Sequence, residues 1–97
     1  MVSLETVERV ASEARSAAVH AAVAVAEPGR GEVIILFTDD PSLEREHLRQ
    51  AAKRIGAPDL ALPRRILPLD EIPVLGNGKK DYVALNRMAR EGREMTV

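Results

Sequence analysis

Cysteine and tryptophan are absent from the 97 residues, and Phe37 and Tyr82 are the only aromatic side chains. Without cysteine there is no disulfide scaffold, no thiolate metal site and no cysteine nucleophile, which suits a reducing compartment. Two aromatics leave almost nothing on which nucleic-acid bases could stack, so no nucleic-acid partner is expected. Long apolar runs are missing too. The longest, residues 17–26, is mostly alanine and is broken by His20. It falls well short of the ~20 residues of a membrane-spanning helix. No basic segment precedes an apolar stretch as in a secretory signal, and a cytoplasmic location is expected. Charge of one sign is lacking as well, with 14 Lys or Arg against 15 Asp or Glu for a net charge of −1. Residues 1–41 carry net −4 and residues 42–97 net +3. That mild dipole reads as solvated surface and not as a polyanion site.

What remains is a composition for one globular domain, 45% hydrophobic and 30% charged. Ser3 is placed to cap a first helix, with Glu5 in its first turn. Leu4, Val7, Ala11 and Ala14 recur at helical spacing, while Glu5, Glu8, Arg9, Ser12 and Glu13 take the other face. Val19, Ala21, Val23 and Val25 then alternate, ahead of Glu27-Pro28-Gly29-Arg30-Gly31 and Glu32-Val33-Ile34-Ile35-Leu36-Phe37-Thr38. Two β-rich runs around a Pro/Gly turn predict an antiparallel hairpin. The second run is apolar on both faces and is expected to be the central strand. Asp39-Asp40 reads as a helix cap: Asp40 is expected to cap a second helix with Pro41 at its first position. Leu48, Ala51, Ala52 and Ile55 form the inner stripe of that helix, and Gly56 stops it. Arg65-Ile66-Leu67-Pro68-Leu69 reads as a third strand, at an edge because Pro68 has no N–H to donate. A loop over residues 70–80 leads to a last helix capped by Asp81. Tyr82, Leu85, Met88 and Ala89 are expected to face inward, Gly92 to end the helix, and residues 93–97 to fray. The order αββαβα predicts an α+β fold, a small sheet made of a hairpin plus a third strand with three helices packed on it.

The segment Pro73-Val74-Leu75-Gly76-Asn77-Gly78-Lys79-Lys80-Asp81-Tyr82 carries the most chemistry. Asn77-Gly78 is a strong turn signal because both residues tolerate φ > 0. Such a turn holds Lys79 at a loop tip, away from the domain. Lys80 falls on the opposite side of an extended segment and is expected to be dispensable. A phosphate-binding P-loop is excluded, since Pro73 stands where its first glycine belongs and Lys80 where its Ser or Thr belongs. An ordinary polar hairpin with two solvated lysines is the other reading of the same residues. His20 and His47 have no third partner for a metal site, and none is expected. None of the serines sits in a nucleophile elbow. Glu27-Pro28-Gly29-Arg30-Gly31-Glu32 has the backbone for an anion nest but two flanking acids. Arg64-Arg65 reads as a strand-edge pair or, less simply, a phosphate clamp.

These residues together resemble a known family. The hairpin over residues 19–38, the stretch Leu62-Pro63-Arg64-Arg65-Ile66, and above all Leu69-Asp70-Glu71-Ile72-Pro73 followed by Gly78-Lys79-x-Asp81 are similar to the C-terminal lid domain of adenylate-forming acyl ligases. That superfamily includes acyl-CoA and acyl-acyl carrier protein synthetases. The run from Leu75 to Ala89 looks most like the synthetase part of bifunctional acyl-acyl carrier protein synthetase/2-acylglycerophosphoethanolamine acyltransferases. The resemblance covers residues 2–89. It implies that residues 1–97 form a single mobile C-terminal domain, which works with a large N-terminal ATP- and acyl-binding domain absent from this chain. It implies that Lys79 is the catalytic lysine of adenylation, delivered by Gly76, Asn77 and Gly78, with Asp81 capping the helix that follows. No cofactor is expected on this domain itself; ATP and Mg2+ would be used by the full enzyme. Coenzyme A or an acyl carrier protein would be the thiol partner, and the full enzyme would work in the cytoplasm, at or near the inner face of the membrane. Tyr82 stands where the family often has arginine, and Leu60-Ala61 where it often has an aromatic-lysine pair. A free-standing α+β binding module, or an adaptor whose basic half docks an acidic carrier protein, is the alternative reading.

Overall fold

The computed structural model describes residues 3–95, with side chains described through residue 91. Ser3 caps α1 (Leu4–Ala14), its side chain accepting the Thr6 N–H. Val7, Val10 and Ala11 form the buried stripe of that helix. β1 (His20–Glu27) and β2 (Gly31–Thr38) pair antiparallel from His20↔Thr38 to Glu27↔Gly31. Their turn places Pro28 and Gly29 between Glu27 and Arg30, with Arg30 N–H on the Glu27 carbonyl at 3.0 Å and Gly29 at φ +79°. This is the type II turn that a Pro-Gly pair favours, because its second central residue must hold φ > 0.

The sheet order is β1-β2-β3, with β3 (Arg65–Pro68) parallel to β2, so β2 is central and β3 an edge. Alternation along β2 explains why both its faces are apolar. Ile34 and Leu36 turn towards α1 and α2 (Arg45–Ile55), packing with Val7, Val10, Ala22 and Leu48. Ile35 and Phe37 turn the other way, onto Ile72 and onto Leu85 and Ala89 of α3 (Tyr82–Met95), together with Ala21, Val23 and Val25. Each face of the small sheet therefore has its own core, and the fold is α+β.

Three boundaries differ from the sequence expectation. Asp39 and Asp40 do not cap α2. Asp40 accepts the Ser42 N–H at 2.9 Å and its hydroxyl at 2.6 Å, and also meets Arg15 Nε at 3.2 Å. These bonds close a turn around Pro41, bury Leu43, and delay the helix to Arg45. There His47 reaches back through Nδ1 to accept the Glu44 N–H at 3.0 Å. Asp39 instead ties down the start of β1, accepting the Val19 N–H at 2.9 Å. The second difference is α3, which runs through Gly92 to Met95. Arg90, Glu91, Arg93 and Glu94 are strong helix formers, and they outweigh the cost of ~1 kcal/mol for one interior glycine. Thr96 and Val97 lie outside the described residues. The third is a single 3₁₀ turn, Asp59–Ala61, which buries Ala61 between α2 and β3, where no element was expected.

Candidate functional site

Residues 70–81 connect the β3 edge of the sheet to α3, which covers the face bearing Phe37. Within this segment Val74 and Lys80 form an antiparallel bridge. Leu75 donates its N–H to the Lys79 carbonyl at 2.7 Å, and Gly78 donates to the Leu75 carbonyl at 2.9 Å. The result is a tight hairpin whose loop is Gly76-Asn77-Gly78, with Gly78 at φ +85°. The sequence favours a two-residue Asn77-Gly78 turn with both residues at φ > 0; in the structure no residue other than glycine has positive φ among the described residues. The reason lies in the Asn77 side chain, whose Oδ1 accepts the Lys79 N–H at 3.0 Å. That bond favours the three-residue form, a type I turn closed by a glycine bulge.

Residues 74–79 are all exposed, so Lys79 stands free at the end of the hairpin. The same hairpin exposes Val74 (57%) and Leu75 (46%), and the first turn of α3 exposes Val83 (73%). An ammonium on such a tip stays hydrated until a partner offers it a negative charge, since burial without one is costly. Asp81 closes the base of the hairpin, donating its N–H to the Pro73 carbonyl at 3.0 Å. Its carboxylate accepts the Ala84 N–H at 3.0 Å at the start of α3.

Lys80 is not a second solvated lysine. It is half-buried, and its ammonium donates to the His20 carbonyl and lies 3.7 Å from Glu8 Oε1. Glu8 itself leaves the outer face of α1 to which the sequence assigns it. Its Oε2 accepts the Ala22 N–H at 2.9 Å and the Tyr82 hydroxyl at 2.6 Å. Tyr82 is thus half-exposed and polar-bonded instead of facing the core. Partial burial, then the Glu8 hydrogen bond and the charges of Glu8 and Glu5, push its phenol well above the ordinary value, which keeps it a donor.

The other candidates stay apart from this hairpin. Arg64 and Arg65 begin the β3 edge, whereas the hairpin leans on β1 at the opposite edge. His20 is 2% exposed, donates from Nε2 to the Arg15 carbonyl at 2.9 Å, and keeps a buried Nδ1 that has no partner among the described residues. Arg30 pairs with Glu27 across the hairpin turn at 3.1 Å, so that turn presents no free cation to an anion. Among the described residues no three His, Asp or Glu side chains gather as a metal site, and no helix is long and apolar enough to cross a membrane.

No family model matches the chain. Solved structures do. Amide bond synthetase McbA from Marinactinospora thermotolerans is 32% identical over 89% of this chain, with a TM-score of 0.71. Brucella canis acyl-CoA synthetase is 25% identical over 95% of it, with a TM-score of 0.74, and Mycobacterium smegmatis MbtA 25% over 71%, with a TM-score of 0.63. These proteins are adenylate-forming ligases. The likeness supports that superfamily, and a ligase domain, for this chain. The chain spans only 18% of the first two ligases and 14% of the third.

Glu8 is the residue that sequence reasoning missed. A faint signal was present, since position 8 lies four residues after Leu4 and three before Ala11, on the border of the apolar stripe of α1. An acid there sits where a half-buried side chain is expected.

Proposed function

We propose that this chain is the mobile C-terminal domain of an ATP-dependent fatty acyl ligase, working with a large ATP- and acyl-binding domain and supplying Lys79 to its active site. In the first half-reaction the acyl carboxylate attacks the α-phosphorus of ATP, and pyrophosphate leaves with the electrons of the broken P–O bond. The product is an acyl-adenylate. In the second, a thiol sulfur attacks the acyl carbon, AMP departs, and the thiol proton passes to solvent. Negative charge gathers on the α-phosphate oxygens during the first step, and a fixed ammonium aimed there lowers the barrier.

The observation that carries this reading is the hairpin itself. Lys79 is exposed on a short, hydrogen-bonded tip whose backbone conformation is set by Asn77 and Gly78, on a hairpin that also exposes Val74 and Leu75. Lysine suits a part that enters and withdraws, being a compact charge on a long stem. Mg2+ would be held with ATP by the large domain, and no step on this chain is assigned to it. The resemblance of the run from Leu75 to Ala89 favours a fatty acid as substrate, and an acyl carrier protein or coenzyme A as acceptor. A fused lysophospholipid acyltransferase is the further extension of the same resemblance.

The test is to compare a large ligase domain with and without this chain joined to it, measuring acid-dependent exchange of pyrophosphate into ATP. Exchange that depends on this chain and is fastest with fatty acids supports the proposal. Exchange unaffected by the chain overturns it, and a preference for aryl acids and amine acceptors overturns the fatty acyl part.

A further inference from the structure

Glu8, Lys80 and Tyr82 come from three separate parts of the chain and meet at the free edge of β1. An unpaired strand edge leaves N–H and C=O groups without partners, and here two of them are satisfied by side chains. Ala22 gives its N–H to Glu8 Oε2 at 2.9 Å, and the His20 carbonyl receives the Lys80 ammonium. Tyr82 closes the cluster onto the same Glu8 oxygen at 2.6 Å, with Lys80 3.7 Å from Oε1. Lys80 and Tyr82 flank Asp81, whose N–H shuts the hairpin on the Pro73 carbonyl. The base of the exposed hairpin is therefore tied to the edge of β1 directly by Lys80 and, through Glu8, by Tyr82.

We infer that Glu8 and Tyr82 are positioning residues for the ligase reaction: they pin the base of the hairpin and hold Lys80 aside, so that Lys79 is the lysine delivered. The inference rests on the proposed function. Two neighbouring ammonium groups repel each other, and either could in principle meet a developing negative charge. Glu8 and the His20 carbonyl take one of them out of play. Side-chain alternation along the extended segment then sends Lys79 to the opposite side. The Tyr82 hydroxyl fixes the start of α3 relative to α1 and β1, and with it the direction in which the tip points.

Two measurements test this. In the 97-residue chain, amide hydrogen exchange is followed by NMR for Glu8→Ala, Tyr82→Phe and Glu8→Gln. Exchange at Leu75 and Asp81 is expected to rise about tenfold in the first two while Leu36 in β2 changes by less than about twofold. Glu8→Gln keeps one oxygen for Ala22 and Tyr82 and should restore most of the protection. Uniform acceleration at all amides, or none at the hairpin, overturns the clamp. In the joined enzyme, Tyr82→Phe should lower kcat for acyl-adenylate formation about tenfold with KM for ATP unchanged, as expected when a reacting group is misplaced. Transfer to the thiol from supplied acyl-adenylate should not change. Loss of adenylation in Lys79→Ala without loss in Tyr82→Phe overturns the positioning role alone. No loss in Lys79→Ala overturns the proposed function and the positioning role together, and the exchange data then still show whether the clamp holds the hairpin.

Discussion

Lys79 and Lys80 are adjacent and identical in chemistry, yet one is exposed at the hairpin and the other is tied to the β1 edge. Replacing Lys80 with alanine removes a charged donor from the His20 carbonyl and uncovers the edge of β1. The lysine is partly solvated, so a cost of ~1 kcal/mol is expected, a fall in Tm of several degrees for a domain this size. Lys79→Ala removes no such contact and should leave Tm unchanged, which calorimetry on the two variants checks. A second residue-scale effect concerns Asp40. Its side-chain and backbone hydrogen bonds from Ser42 hold its carboxyl below the ordinary value of 3.8, with Arg15 adding in the same direction. A carboxyl depressed on folding stabilises above its unfolded value, and that contribution is lost as pH falls through the lower folded one. Acid titration of stability should therefore be flatter below pH 3.8 in Asp40→Asn than in the natural chain. Lys79 was legible as a candidate from its turn, because turn chemistry is local. Glu8 was not, because its partners Ala22 and Tyr82 lie 14 and 74 residues away.

Among the elements, the hairpin that carries Lys79 makes unequal demands on its two glycines. Gly78 sits at φ +85° and Gly76 does not, yet an added Cβ would meet nothing within 4 Å at either position. Any penalty is therefore backbone strain alone. Gly78→Ala should destabilise by about 1 kcal/mol, and Gly76→Ala should be neutral or slightly stabilising through the unfolded chain. Urea denaturation of both variants separates them, and equal losses would mean that the loop has another conformation. The start of α2 was misread for a physical reason. Asp-Asp-Pro-Ser is a good cap signal, but Asp40 spends its carboxylate on Ser42 and Arg15, and a buried Leu43 must be accommodated before the helix begins. The end of α3 was misread because a lone glycine among strong helix formers is only a modest penalty.

For the whole molecule, the element order and the central position of β2 followed from hydrophobic periodicity, since Ile34-Ile35-Leu36-Phe37 must be covered on both sides. The direction of β3 did not follow from periodicity, which is the same for parallel and antiparallel strands. It is parallel because α2 and its loops return the chain to the same end of the sheet, as a strand-helix-strand crossover does. This arrangement leaves the Lys79 hairpin projecting beside the β1 edge, exposed to solvent. On the proposed function, its charge is needed when another domain presents ATP and an acid. The most direct test is to measure the two half-reactions separately, in the joined enzyme, for Lys79→Ala. Acyl-adenylate formation should slow by a factor of ~10²–10³, the usual loss when one preorganised donor to a developing anion is removed. Thioester formation from supplied acyl-adenylate should proceed at the unmodified rate. Equal slowing of both steps, or an undiminished first step, would contradict the role assigned to Lys79.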